Sequence, residues 1–237
     1  MLWAGSKSRD LYLGTRALAI CDGADVLLSA PVQGFEAGVV QAQGHLAKAL
    51  YSGRLRVWLS GGLCRPFLLP DLPGVRGEVE TLRVASKLAS ERTGLGSDCQ
   101  VWLDTARRGE ARVAIAVTQE TLNRVKQGLG SRWRIESIQP WWAEVLQLAL
   151  SRRVKPRAVG VQDCDSLTVL IGSEGGFSVA TTTSPLLDEA AADSAFMRTL
   201  MSANVNPDKS LRARLVLGGS TAGTAASSLG SLLEISP

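Results

Sequence analysis

The chain has 237 residues, 45% of them hydrophobic, enough for one large domain or two lobes with a full core. Its 26 Lys and Arg are scattered among 22 Asp and Glu, with no basic run or face of the kind that nucleic-acid proteins gather, so no nucleic-acid partner is expected. The four cysteines are far apart with no CxxC pair, and no apolar run approaches the roughly 20 residues that cross a bilayer, so a cytoplasmic chain without a metal site is expected.

Residues 10–14, 16–21 and 25–30 are three short apolar runs broken at Gly14-Thr15 and Asp22-Gly23-Ala24. Runs of that length with such breaks predict an antiparallel meander. Residues 35–51 carry Val39, Val40, Leu46, Ala47 and Leu50 at helical spacing, and 56–60 is a strand. From 61 to 104 the plan is interrupted by an apolar run at 63–69, a Pro-rich turn at 70–74, a helix at 78–93 and a strand at 99–103. This segment is expected to be a small inserted lobe. The main sheet is expected to resume at 112–117, a nearly continuous apolar strand of the buried kind. Thr118 with Thr121 three positions on predicts the next helix start, and glycines at 128 and 130 its end. Residues 133–138 form one more strand before Pro140 opens a helix to about residue 153. The basic run at 151–157 then falls at a helix end, where the dipole favours cations.

A second meander follows at 158–162, 167–171 and 177–182, broken by Asp163-Cys164-Asp165-Ser166 and Ser173-Glu174-Gly175-Gly176. A helix at 186–201, a strand at 211–217, a turn at Gly218-Gly219-Ser220 and a small-residue helix at 221–233 complete the chain. One βββαβα plan is thus stated twice, once over 1–139 with the insertion and once over 140–237 without it.

This duplicated α/β plan resembles the actin, Hsp70 and sugar-kinase superfamily, whose halves are ribonuclease H-like. Tyr12-Leu13-Gly14-Thr15 resembles its first phosphate hairpin, usually Asp-x-Gly-Thr. Asp163-Cys164-Asp165-Ser166-Leu167-Thr168 stands where the second belongs, usually Asp-x-Gly-x-x-Thr. Leu217-Gly218-Gly219-Ser220-Thr221-Ala222 looks like the adenosine loop. Within the superfamily the chain is most similar to the cytoplasmic domain of type II secretion protein L and to the PilM family of type IV pilus assembly proteins. Trp58-Leu59-Ser60 with Phe67-Leu68-Leu69-Pro70, and Ser137-Ile138-Gln139-Pro140, carry that likeness. The resemblance implies an adaptor that docks a secretion or pilus assembly ATPase or the tail of an inner-membrane assembly protein. Such a chain would sit in the cytoplasm at the inner membrane, through its partners or through a membrane segment absent from this sequence. A homodimer is left open.

Active members use acidic residues in these hairpins to hold the waters of Mg²⁺, because phosphoryl transfer is catalysed by charge neutralisation and positioning. Here Tyr12 replaces the first acid, and Asp165 replaces the glycine that lets the backbone approach the phosphates. A carboxylate facing a triphosphate is repulsive unless a metal bridges them. The expectation is therefore no catalytic residue, no cofactor, and degenerate nucleotide loops at Gly14, Thr15, Asp163, Asp165, Gly218 and Gly219. Turn chemistry is the plainer role for the two aspartates, since Asp side chains bond the backbone of hairpin turns. The alternative is an ATPase or kinase using Asp163 and Asp165 with Mg²⁺. Gly218-Gly219-Ser220-Thr221-Ala222 also looks like a degenerate nucleophile elbow, but the one histidine, His45, lies far upstream in the first helix. Trp141 and Trp142, neighbours on a helix, point about 100° apart. One of them is expected to be part exposed, either against the neighbouring lobe or as a partner anchor.

Overall fold

The computed structural model describes residues 8–49, 52–75, 77–103, 112–129, 133–151, 156–173, 176–185, 188–215 and 233–236. The first half runs β1 (Ser8–Leu13), β2 (Ala17–Asp22), β3 (Asp25–Pro31), α1 (Phe35–Ala47) and β4 (Arg54–Leu59). There follow β5 (Cys64–Leu69), α2 (Glu78–Thr93), β6 (Cys99–Leu103) and β7 (Arg112–Thr118), then α3 (Gln119–Leu129), β8 (Arg134–Pro140) and α4 (Trp141–Leu150). The second half is β9 (Ala158–Gln162), β10 (Leu167–Ser173), β11 (Gly176–Thr183), α5 (Glu189–Ser202), β12 (Ser210–Leu215) and β13 (Leu233–Ser236).

Two five-stranded sheets repeat one topology, in the orders β3-β2-β1-β4-β8 and β11-β10-β9-β12-β13. In each half the first strand pairs antiparallel with the second and parallel with the fourth, as β1 does with β2 and β4 and β9 with β10 and β12. The copies differ at one edge, where β8 runs parallel to β4 but β13 runs antiparallel to β12.

Alternation along the strands decides what each face covers. Leu11, Leu13, Leu18, Ile20, Val57 and Leu59 meet Val39, Ala42 and Leu46 of α1 and Leu122 and Val125 of α3. Tyr12, Ala19, Cys21 and Trp58 point to the other face and share a core with α4 and with Val159, Val161, Leu211 and Ala213 of the second sheet. Helix α4 therefore packs between the two halves. The far face of the second sheet is closed by Ala192, Ala195, Phe196 and Leu200 of α5.

Four expectations are corrected. Strand β7 is not part of the main sheet: it is the central strand of a third, antiparallel sheet, β5-β7-β6, so the insertion extends to residue 118. Its apolar run is continuous because both faces are covered. Ala114 and Ala116 face Phe67, Ala85 and Ala89, whereas Val113 and Ile115 join the core between the halves. Trp141 and Trp142 are both buried, because α4 has neighbours on more than one side. Trp141 meets Tyr12 and Trp58 edge to face, at centroid distances of 6.2 and 6.4 Å, and Trp142 donates Nε1 to the Cys64 carbonyl at 2.8 Å. Neither indole is open to a partner. Leu233, expected to end a helix, begins β13; the rest of the expected helix at 221–233, with the Gly218-Gly219-Ser220 turn, lies outside the described residues. Helix α1 stops at Ala47, with Lys48 as its C-cap, rather than running to residue 51. The expected start of α3 holds: Thr121 donates its amide to Thr118 Oγ1 at 3.2 Å.

Two glycines separate packing from propensity. A Cβ on Gly160 would lie 2.6 Å from the Phe196 ring, so Gly160→Ala is expected to destabilise the fold by about 1–3 kcal/mol through overpacking. Gly44, inside α1, has open space around its Cα, so Gly44→Ala is expected to stabilise by about 0.5–1 kcal/mol. Urea unfolding of the two variants checks both signs.

Candidate functional site

The two first-strand hairpins meet where the halves face each other. The turn after β1 closes with Gly14 donating its amide to the Ala17 carbonyl at 2.9 Å, which leaves the Thr15 amide and hydroxyl free to point across the seam. The turn after β9 is tighter still. Asp163 donates its amide to the Ser166 carbonyl at 2.9 Å, and its Oδ1 accepts from the Ser166 amide at 2.9 Å and the Ser166 hydroxyl at 2.7 Å. That is the turn chemistry expected of an Asp in this place.

The other carboxylate oxygens reach into the first half. Asp165 Oδ2 accepts from the Thr15 amide at 2.7 Å, the Thr15 hydroxyl at 2.6 Å and the Ser60 hydroxyl at 3.1 Å. Asp163 Oδ2 accepts from the Gly61 amide at 2.7 Å. Four donors of the first half thus converge on two acids of the second. Beside them Tyr12 Oη lies 3.2 Å from Cys164 Sγ, a third link across the seam.

The approach is close enough to require glycine on the first-half side. A Cβ on Gly14 would collide with Cys164 Sγ, one on Gly61 with Thr168 Oγ1, and one on Gly62 would lie 2.8 Å from Asp165 Oδ1. Asp165 is only 1% exposed and Asp163 7%, and among the described residues neither forms an ion pair. Arg65 is close enough to feel the Asp165 charge, but it donates to the Gly62 and Thr93 carbonyls at 3.2 and 2.6 Å. Among the described residues no N–H group donates to Asp165 Oδ1, which is buried beside the Asp163 carboxyl.

Burial, and then the Asp165 charge, push the Asp163 carboxyl well above the usual carboxylate range, against the opposing pull of the Gly61 and Ser166 donors. Burial and then the charges of Asp163 and Asp165 push the Cys164 thiol up to about 12. Burial chiefly, with the same acids behind it, raises the Tyr12 phenol well above its ordinary value. Tyr12 and Cys164 are accordingly neutral groups packed beside the acids.

Asp163, Cys164 and Asp165 bring ligand atoms within 4.8 Å of one another. The sequence resemblance raises the alternative of Mg²⁺ held by Asp163 and Asp165, but the residues present do not fit it. Mg²⁺ demands an octahedral oxygen shell and keeps several waters. Both Asp163 oxygens and Asp165 Oδ2 already accept from N–H or O–H groups, and Cys164 holds its proton. Of these oxygens only Asp165 Oδ1 lacks an N–H donor among the described residues, and it faces the buried Asp163 carboxyl.

Of the residues singled out in the sequence, Gly14, Thr15, Asp163 and Asp165 come together here, whereas Gly218 and Gly219 lie outside the described residues. Ser60, Gly61 and Gly62 were missed. The repeat carries their signal: Leu59-Ser60-Gly61-Gly62 ends β4 as Leu217-Gly218-Gly219 follows β12, and the duplicated plan puts both at matching places.

Among solved structures, the cytoplasmic domain of EpsL, an inner-membrane component of the type II secretion system of Vibrio cholerae, superposes with a TM-score of 0.51 at 11% identity, covering 76% of this chain and 71% of that one. A Bacteroides thetaiotaomicron protein of actin-like ATPase fold and unknown function superposes at 0.57, with 10% identity and coverages of 87% and 81%. This is an actin-like fold. The PilM–PilN type IV pilus biogenesis complex aligns at 0.48, with 14% identity over 84% of this chain and 66% of that one, too low to bear on the fold. No family model matches the sequence, and no curated protein does. Within this fold, the hairpins that meet at the seam are the turns that follow the first strands of the two halves, β1 and β9.

The raised Asp163 carboxyl has a measurable consequence with a definite sign. The folded chain holds that proton more tightly than the unfolded chain, so the group's contribution to stability is fully present below the unfolded carboxyl pKa of about 3.9 and is lost as pH rises through the raised folded value. Urea unfolding at stepped pH should show this decline in the wild type and a flatter profile in Asp163→Asn, which cannot titrate. Equal slopes would contradict it.

Proposed function

We propose that the chain is a non-catalytic actin-like scaffold of a bacterial envelope machine, one that docks a secretion or pilus assembly ATPase or the tail of an inner-membrane assembly protein. One observation carries the non-catalytic part: the amides and hydroxyls of the first half that face the seam are taken by Asp163 and Asp165 of the same chain. A bound triphosphate needs such donors and charge-neutralising cations. Here the donors already have carboxyl oxygens as acceptors, Tyr12 stands buried where the first acid would be, and the two acids lack the open positions a hydrated Mg²⁺ requires.

The envelope part rests on the sequence resemblance to secretion protein L and on the fold shared with the EpsL cytoplasmic domain. No helix among the described residues is long and apolar enough to cross a membrane, so attachment at the inner membrane would come through partners or through a segment outside this sequence. With both tryptophans of α4 buried, docking would use other surfaces. Strand β3, an edge strand with Val26 and Leu27 exposed, is suited to strand addition.

The test is thermal melting with and without Mg-ATP. A ligand bound only by the folded state stabilises it by about 2.7 kcal/mol at a hundred times its dissociation constant. The scaffold predicts an unchanged melt, together with saturable binding of a purified assembly ATPase in calorimetry. An ATP-dependent rise that Asp163→Ala abolishes would overturn the reading and make the seam a nucleotide site.

A further inference from the structure

We propose that Asp163 and Asp165 form a latch that holds the two halves in one fixed relation, with Thr15, Ser60 and Gly61 as its keeper. The acids stand on a four-residue turn made rigid by its own Asp163–Ser166 bonds, so they move only with the second half. The keeper residues stand at the ends of β1 and β4, adjacent parallel strands of the first sheet, and Ser60 donates its amide to the Leu13 carbonyl at 2.9 Å. They move only with the first. Each side is thus a stiff body, and the contact between them is polar, short and buried.

Three further observations give the contact the character of a catch rather than ordinary packing. Asp165 uses one oxygen for all three of its first-half donors, so a single side chain gathers them. The glycines at 14, 61 and 62 leave no room for a Cβ beside Cys164, Thr168 and Asp165, so the seated turns are in close contact. The apolar core that also joins the halves runs through α4, Tyr12 and Trp58, alongside the hairpins, and so serves as the pivot about which the hairpin end opens. A buried carboxyl group that loses its donors is strongly disfavoured. The latch is therefore closed in both senses: it resists opening, and it re-forms when the turns meet.

The latch goes beyond the scaffold reading and is judged separately, since it concerns the relation of the halves and not whether nucleotide binds. The experiment is amide hydrogen exchange of the full chain, followed residue by residue by NMR. In the wild type the Thr15 and Gly61 amides exchange slowly. In Asp165→Ala the Thr15 amide loses its acceptor and its protection in any case. The decisive amide is that of Gly61, whose acceptor, Asp163, is retained and, freed of the Asp165 charge, is no weaker an acceptor. Opening of the hairpin end predicts that Gly61 exchanges about tenfold faster or more. A Gly61 amide as slow as in the wild type overturns the latch and leaves Asp165 as a local cap. Should Asp165→Ala fail to fold, Thr15→Val removes one of the three bonds and keeps the backbone donor. It should quicken Gly61 exchange severalfold, and no change there overturns the proposal.

Discussion

The interaction on which the rest depends is the set of hydrogen bonds by which two buried acids of the second half take the free donors of the first. Burying a carboxylate without a partner cation is costly, and the cost is tolerable only where several donors converge. Here Thr15, Ser60 and Gly61 supply four of them, and Ser166 two more from within the turn. That requirement explains features scattered along the chain: glycine at 14, 61 and 62, small hydroxyl residues at 15, 60 and 166, and neutral side chains at 12 and 164. A bulky or cationic residue at any of them would either hold the turns apart or compete for the acids.

Around that seam the architecture is two copies of one sheet, each built outward from its first strand. The first strand is central because it pairs on both sides, antiparallel to its hairpin partner and parallel to the strand that returns after the helix. The hairpin turn of a central strand is carried by the stiffest part of the sheet. Functional groups placed there keep their positions to within the packing tolerance of the core. In this chain that placement brings Thr15 of one half against Asp165 of the other.

Much of this was legible in the sequence because it is local. The meanders, the helix at 78–93 and the strands at 99–103 and 158–162 follow from apolar period and break residues, and the places of Gly14, Thr15, Asp163 and Asp165 follow from the duplicated plan. What was not legible is pairing at long range. Nothing in Arg112 to Val117 distinguishes a buried strand of the main sheet from the centre of an inserted one, since both are apolar on two faces. The angle between Trp141 and Trp142 is fixed by the helix, but whether each direction meets protein depends on Tyr12, Trp58 and Cys64, residues 78 to 129 positions away along the chain. The acids looked like turn residues, and Asp163 is one; that Asp165 also reaches Thr15 needs the fold.

The inserted sheet has one more property. Its first strand, β5, and its last, β7, are neighbours, with Cys64 opposite Val117, so the segment enters and leaves at one point of the first half. Its edge strand β5 carries Pro66, which an edge tolerates and a centre does not. A segment with adjacent ends and its own small core is a cassette. Its length and surface can diverge through evolution, or be exchanged by design, without changing the register of the frame that holds it.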